Sequence, residues 1–315
     1  MRYFVTGGAG FIGSNYVEHL FNGVGGVTGV TIYDKFTYAA NPKNYQEFSN
    51  DSRLAVIKGD ICDATLLENS MTDHDFVVHF AAESHVDRSI SDASAFVRTN
   101  ALGTYNVLEA SRKVGIKTVI HVSTDEVYGS LPEGSADESY ALEPNSPYSA
   151  SKAASDLLAR SYYKTHGLDV RTTRSCNNYG KYQYPEKLIP VIIEKLSRQI
   201  MVPVYGNGSN IREWIHVQDN CCAIQLVLEK GNPGEIYNIG AGNRLSNLEL
   251  TQLISARMHV GEGLVEFVAD RAGHDHRYAL DSSKITSLGF KLKKNFDYGI
   301  GETIEWYLAN GNWWD

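Results

Sequence analysis

The sequence predicts an α/β protein: a doubly wound parallel sheet with a smaller mixed α/β domain behind it. Two observations carry this. Through the first half, short apolar runs alternate with longer segments of helical periodicity, and after Arg174 that rhythm loosens. Such alternation places helices on both faces of a parallel sheet. With 315 residues the chain is long enough for two domains of roughly 100–200 residues each.

The first expected strand, residues 3–6, is Tyr3, Phe4, Val5 and Thr6, and others follow at 30–34, 54–58, 76–80, 119–123 and 170–174. Between them, residues 95–113 carry Phe96, Val97, Leu102, Val107 and Leu108 mostly at i, i+3, i+4 spacings, the stripe of an amphipathic helix. Residues 148–166 read as a second long helix. Beyond Arg174 the expectation is helices at 187–198 and 245–258 and a strand at 265–268, interrupted by Gly, Asn, Tyr and Pro. No repeat, charge block or Gly/Ser linker separates the two parts, so they are expected to share a cleft.

Composition removes several function classes. Hydrophobic residues make up 43% and charged residues 21%, with only 8 prolines, which excludes a disordered chain. A formal charge of −8 gives no general pull towards a polyanion, so a broad nucleic-acid surface is not expected. Cys62, Cys176, Cys221 and Cys222 show no C-x-x-C spacing, a poor pattern for disulfides or zinc, and reduced thiols are expected. Glycines interrupt the apolar run that a signal peptide would need, and no apolar stretch approaches the roughly 20 residues of a membrane span. The expected location is cytoplasmic, without membrane contact.

The first strand runs into Gly7-Gly8-Ala9-Gly10-Phe11-Ile12-Gly13. Small residues between a strand and a helix permit a tight turn and let backbone N–H groups approach a pyrophosphate at the helix N-terminus, the Rossmann arrangement. Asp34 ends the next strand about 20 residues on, where a carboxylate binds ribose hydroxyls and repels a 2′-phosphate. NAD is therefore the expected cofactor, held by Gly7, Gly10, Phe11, Ile12, Gly13 and Asp34. Gly59-Asp60-Ile61 follows the third strand and either meets the adenine or forms a plain surface turn.

Tyr148 and Lys152 stand four residues apart on one face of a predicted helix, where an ammonium can stabilise a phenolate. Bringing a tyrosine from about 10 to about 7 requires roughly 4 kcal/mol, which a cation and a hydrogen-bonded nicotinamide ribose could supply. Thr124, just past a strand end, is placed to orient a substrate hydroxyl beside Tyr148. Asp125 and Glu126 are adjacent acids at the same strand end. In a continuing strand they would point to opposite faces, so both meet one substrate only if the chain turns there. Otherwise one caps the next helix and the other is solvated.

Together the glycine turn and the Tyr148-x-x-x-Lys152 pair resemble the extended short-chain dehydrogenase/reductase superfamily. Within it the chain is similar to the dTDP-glucose 4,6-dehydratases, above all at Ser123-Thr124-Asp125-Glu126-Val127-Tyr128-Gly129. Phe80 to Ser89, Asn177-Asn178-Tyr179-Gly180, Pro185 to Pro190 and the stretch from Asp270 to Tyr278 extend the likeness over nearly the whole chain.

The resemblance implies that Asp125 is the general acid that protonates the leaving hydroxyl of carbon 6, and Glu126 the base that removes the proton of carbon 5. Catalytic residues are then Thr124, Asp125, Glu126, Tyr148 and Lys152. It implies further cofactor contacts at Lys35, Thr37, Asp60, Ile61, Ala81, Ala82, Asn100 and Cys176, beside those of Tyr148 and Lys152. Substrate contacts are implied at Ser84, Asn177, Asn178, Lys187, Leu188, Pro203, Tyr205, Arg212, Asn243, Arg271, His274 and Tyr278. Arg277 adds to the basic residues that would suit a diphosphate. His274-Asp275-His276 spells H-x-H, but no further ligand cluster completes a metal site, and none is expected.

Lys181 and Asn207 stand where proline and aspartate are usual in the resemblance, and Lys181 adds a charge near the expected substrate domain. Residues 1–175 are expected to form the NAD-binding domain, with 206–234 contributing back to it, and 176–315 mainly the nucleotide-sugar domain. The implied activity is conversion of dTDP-glucose to dTDP-4-keto-6-deoxyglucose. UDP-glucose dehydration, or 4-epimerisation or decarboxylation at the same NAD site, are the enzymatic alternatives, and an NAD-sensing regulatory module the non-enzymatic one. A homodimer through a four-helix interface of 95–113 and 148–166 is also implied.

Overall fold

Alternation along the first strand divides its apolar side chains between two layers, and the whole fold follows from that division. In the computed structural model, which describes residues 1–261 and 263–314, the strands are β1 (Arg2–Thr6), β2 (Gly29–Asp34), β3 (Leu54–Lys58), β4 (Phe76–His79), β5 (Thr118–Thr124), β6 (Val170–Ser175), β7 (Asn177–Tyr179), β8 (Val202–Tyr205), β9 (Ile211–His216), β10 (Ile236–Ile239), β11 (Arg244–Ser246) and β12 (Val265–Val268). The helices are α1 (Phe11–Gly23), α2 (Ala64–Met71), α3 (Val86–Ser91), α4 (Ser94–Phe96), α5 (Thr104–Val114), α6 (Pro147–His166), α7 (Leu188–Ser197), α8 (Val217–Lys230), α9 (Asn247–Arg257), α10 (Ser283–Ser287) and α11 (Phe296–Ala309).

Seven strands form one parallel sheet in the order β10-β6-β5-β4-β1-β2-β3. This is the predicted fold class. Tyr3, Val5, Ile32 and Val78 pack on one face with Tyr16, Val17 and Leu20 of α1 and Ile224 and Val227 of α8. Phe4, Tyr33, Val77 and Val119 pack on the other with Leu67 of α2, Val107 and Leu108 of α5 and Ala159 and Tyr162 of α6. At roughly 1.5–3 kcal/mol per large apolar side chain, these two layers supply the main driving force for folding. A third core joins Ile189, Ile192, Trp214, Leu250, Ile254, Ile300 and Tyr307 between α7, α9 and α11. Beside it lie the three-stranded sheet β11-β9-β7 and the pair β12-β8.

Three expected helices differ from the structure in where they start or divide. The helix at 95–113 is divided, because Val97–Gly103 is wound as a π-helix between α4 and α5. A wider turn there is used by Asn100, whose amide accepts from Glu83 N at 2.8 Å and donates to Glu83 O and to Ser151 Oγ. The helix at 245–258 starts only at Asn247, since Ser246 and Glu249 form a reciprocal capping box and Arg244–Ser246 pairs with β9. α7 starts one residue later than expected because Lys187 is its N-cap. The strand Ile236–Ile239 is not announced by the sequence pattern; it pairs with β6 at the edge of the large sheet.

Gly129 ends the short turn that follows β5, at φ +73 and ψ −164, a region open essentially to glycine alone. A Cβ there would run into the carbonyl oxygen of Glu143. Gly129→Ala should therefore destabilise the fold by about 2 kcal/mol or more, read as a lowered denaturant midpoint.

Candidate active site

The strand order reverses between β4 and β1, and a cleft opens there at the carboxyl ends of the strands. It holds about 1270 Å³ of atom-free space, continuous with solvent. Its floor is the glycine turn. Gly7 has φ +68, and a Cβ on it would lie 2.7 Å from Ala81 N, so β4 can approach the turn only because the side chain is missing. No side chain caps the first turn of α1, which leaves its N–H groups to an anionic ligand. Asp34 accepts from Ala9 N at 3.0 Å and from Phe36 N at 2.8 Å, tying the turn to the loop after β2. Phe11, Ile12, Gly10 and Gly13 line the floor, Lys35 and Thr37 the end of β2, Asp60 and Ile61 the end of β3, and Ala81, Ala82 and Ser84 the end of β4. The donor set, small residues beside an uncapped helix start with a carboxylate at the next strand end, fits a dinucleotide.

Asn100 and Cys176 lie outside that lining. Asn100 spends its amide on the Glu83 backbone and Ser151, so it shapes the cleft wall and does not face into the cleft. Cys176 is buried with its N–H bonded to Ile239 O. Lys35 is ion-paired to Asp60 at 2.8 Å across the ends of β2 and β3.

The chain does turn after β5. Thr124 ends the strand, and residues Asp125–Tyr128 form a single 3₁₀ turn capped by its hydroxyl, which accepts from Glu126 N at 3.3 Å and donates to Asp125 Oδ1 at 3.1 Å. Both acids thereby act on the Tyr148 phenol, although the cleft lining on this strand stops at Val122 and Ser123. Asp125 is 3% exposed, and its Oδ2 has no hydrogen-bond partner. Burial pushes its carboxyl well above the usual range, and the neighbouring Glu126 and Glu213 add to this. Burial also raises Glu126, but the charges of Arg212, Lys187 and Arg271 oppose the rise. Burial thus raises both neighbouring carboxyl groups, Asp125 well above its ordinary value, while Glu126 has more cations opposing the rise.

Tyr148 and Lys152, on one face of α6, line the cleft. The Lys152 ammonium donates to Val122 O at 2.8 Å, and burial pushes it down to about 8. The Tyr148 phenol is held well above its ordinary value by burial, with Glu126 and Asp125 adding to the effect and a hydrogen bond with Thr124 opposing it.

From the second half of the chain, Gln183, Tyr184, Glu186 and Lys187 line the cleft, and the other residues expected to meet a substrate lie beyond that lining. Lys187 reaches back to Ser84 O at 2.6 Å. Arg271 pairs with Asp87 at 2.7 Å, Tyr205 donates to the same carboxylate at 3.3 Å, and the guanidinium lies 5.0 Å from the Tyr205 ring centre. His274 meets Asp270 at 2.6 Å and packs edge-on near Tyr205. Arg212 lies 4.3 Å from the Tyr278 ring centre, whose hydroxyl donates to Asp275. Asn177 and Asn178 are on β7; Asn178 donates to Cys176 O and leaves its buried Oδ1 unpartnered. Asn243 donates to Trp214 O, and Leu188 opens α7. Pro203 is exposed on β8 and shares a face with Tyr205 by strand alternation. Asp87, Tyr184, Glu186 and Glu213 were not singled out from the sequence; each is brought in by loop or sheet contacts that no local spacing announces.

A family model described as GDP-mannose 4,6 dehydratase matches residues 4–303. The chain belongs to this family. It is 51% identical, over all of its own length and 95% of the relative's, to a dTDP-glucose 4,6-dehydratase of Streptomyces niveus. The crystal structure of DesIV, a dTDP-glucose 4,6-dehydratase from Streptomyces venezuelae with NAD and TYD bound, is 50% identical and superposes with a TM-score of 0.98 over 100% of this chain and 99% of that one. The dTDP-glucose 4,6-dehydratase of Bacillus anthracis in complex with NAD is 41% identical with a TM-score of 0.92, over 100% and 98% of the two chains. The resemblance read from the sequence is borne out by these relatives. Two departures from the family pattern turn out to be local: Lys181 is neutralised by Glu18 of α1 at 2.7 Å, and Asn207 accepts from Ser209 N within its turn.

Asp34 both anchors the glycine turn and offers the carboxylate expected to discriminate against a 2′-phosphate. Asp34→Asn, which keeps the shape and removes the charge, should lower the NAD content of the purified protein and narrow the gap between NAD and NADP affinity at least tenfold. Calorimetric titration with both nucleotides measures this.

Proposed function

We propose that this chain is a hydro-lyase that converts dTDP-glucose to dTDP-4-keto-6-deoxyglucose. The observation that carries the reading is the turn after β5, which sets Asp125, buried with an unpartnered Oδ2, beside Glu126 where both act on Tyr148. NAD, when bound, accepts the hydride from carbon 4 and returns it to carbon 6, so the cofactor ends each cycle as it began. Oxidation at carbon 4 is required because the carbon 5 proton becomes acidic only next to a carbonyl.

Tyr148 takes the proton of the carbon 4 hydroxyl, which Thr124 orients. Glu126, whose burial is countered by the charges of Arg212, Lys187 and Arg271, removes the carbon 5 proton. Asp125 starts protonated and delivers its proton to the departing carbon 6 hydroxyl. A 4-epimerase or decarboxylase using Tyr148 and Lys152 would have no use for this acid–base pair. An NAD-sensing module would need neither the pair nor the tyrosine. The same basic residues, with Ser84, Asn177, Asn178 and Asn243, form the binding surface for the nucleotide sugar. Thymidine is favoured over uridine by the relatives' substrate, and product analysis with dTDP-glucose and UDP-glucose separates the two. Residues 1–175 carry the cofactor and 176–315 mainly the nucleotide sugar, with 206–234 contributing to the first part.

The protein is further proposed to be a cytoplasmic homodimer. Val97, Leu102, Tyr105 and Leu157 are 57%, 48%, 43% and 58% exposed on the π-helix, α5 and α6, where the two helical stretches lie side by side. Two copies of that face would complete a four-helix interface. Among the described residues no helix is long and apolar enough to cross a membrane.

Substrate deuterated at carbon 4 should yield product with deuterium at carbon 6, and reaction in heavy water should place solvent deuterium at carbon 5. Glu126→Gln should lose about 10²–10⁴-fold in turnover and lose the carbon 5 exchange while still reducing bound NAD once. Product without deuterium at carbon 6 would overturn the reading. Because Asp125 must be protonated, turnover should fall as pH rises through its elevated pKa, and Asp125→Asn should remove that limb. For the dimer, Leu157→Asp should shift sedimentation from two copies to one at micromolar concentration.

A further inference from the structure

Asp156 stands one helical turn beyond Lys152, so Tyr148, Lys152 and Asp156 fall on one face of α6 at i, i+4 and i+8. Its carboxylate is fully engaged. Oδ1 accepts from His121 Nε2 at 3.1 Å and Oδ2 from Arg174 Nε at 2.8 Å. Arg174 donates on to the Tyr128 hydroxyl at 2.9 Å, and that hydroxyl donates to Asn238 Oδ1 at 2.8 Å. Tyr128 is the last residue of the turn that carries Asp125 and Glu126. One buried network therefore links the helix of the redox pair, strands β5, β6 and β10, and the turn of the acid–base pair.

A buried ion pair contributes little net stability compared with apolar side chains of the same volume. The surroundings of Lys152 supply another use for it. Burial drives that ammonium towards neutrality, and Asp156 is the charge that opposes the drive. Asp156 itself stays ionised: burial favours its neutral form, but the His121 hydrogen bond and the Arg174 charge outweigh it and hold it at about 2. From the packed elements, His79 of β4 and His121 of β5 face Lys152 with imidazoles that burial holds towards neutrality. Arg174 comes from β6, while Asp125 and Glu126 act on Tyr148. The π-helix carries an exposed Arg98 and, towards this site, the neutral Asn100 amide through Ser151. Asp87 and Arg88 of α3 are engaged by Arg271 and Glu186, and Glu109 of α5 by Arg112 and Tyr162.

We propose that Asp156 is a positioning residue of the redox pair: its carboxylate, fixed by His121 and Arg174, keeps Lys152 an ammonium and thereby sets the pH window in which Tyr148 and Lys152 operate. This rests on the assignment of Tyr148 and Lys152 to oxidation at carbon 4. The charge of Asp156 also disfavours the Tyr148 phenolate, so its removal moves both titrations the same way. The whole profile should slide to lower pH.

The test combines two readouts on Asp156→Asn, Asp156→Glu and Asp156→Asn/Arg174→Gln. The first is NMR titration of lysine Cε resonances in the protein without added nucleotide, with Lys152 assigned by its absence in Lys152→Met. The second is the pH profile of single-turnover reduction of bound NAD by dTDP-glucose. In Asp156→Asn the Lys152 midpoint and both limbs of the profile should move down by about one pH unit or more, and Asp156→Glu should restore them. The double variant leaves no unpaired guanidinium, so it stands in if Asp156→Asn does not fold, and it should keep a downward shift. An unmoved Lys152 midpoint in a folded variant, with rates reduced by one factor at every pH, would overturn the proposal. Failure of the wild type to reduce NAD with dTDP-glucose would instead overturn the functional reading, while the NMR titration would still decide the role of Asp156.

Discussion

The break in β5 at Thr124 is the constraint on which the site depends. An extended strand would send Asp125 and Glu126 to opposite faces of the sheet, one into the packing of α6 and the other into that of α8. The Thr124 hydroxyl stops the strand by capping a single turn, and Gly129 lets the chain leave that turn in a conformation closed to other residues. Two neighbours in sequence thus both act on Tyr148. The turn is held from below by Tyr128, which is bonded to Arg174 and Asn238, so its geometry is set by strands laid down far apart in the chain.

Within the cleft, low polarisability makes small differences in position count. Asp125 and Glu126 have the same chemistry in water, and only their neighbours separate them. The apolar floor and Glu213 act on one, and a cationic wall acts on the other. Tyr148 lies between these influences and, in the chain alone, is held as a phenol.

Much of this was legible in the sequence, for physical reasons. Most strands of the first half are short apolar runs of the kind a buried parallel sheet favours, and such runs stand out, with the polar β6 the exception. The glycine turn is legible because close backbone approach admits no other residue at Gly7. The Tyr148–Lys152 pair follows from helical spacing, and Asp156 could have been read from the same spacing carried one turn further. What stayed hidden depends on tertiary contacts. Ile236–Ile239 looks like any short apolar segment until β6 offers it an edge. The π-helix at Val97–Gly103 answers to Glu83 and Ser151, which are distant in sequence. The pairing of Asp87 with Arg271 and Tyr205 joins segments more than a hundred residues apart, and no local pattern encodes it.

The late arrival of β10 has a consequence during synthesis. β6 leaves the ribosome with one row of backbone groups unpaired, and its partner follows only after about 60 further residues, which at typical elongation rates means roughly 3–12 s. For that interval the nascent chain carries an open parallel edge of the kind that recruits foreign strands. Val170–Ser175 blunts the hazard with Arg171, Thr172, Thr173 and Arg174, a polar run in place of aliphatic residues. The same arginine that later balances a buried carboxylate thus first serves as a charge guarding an unfinished edge.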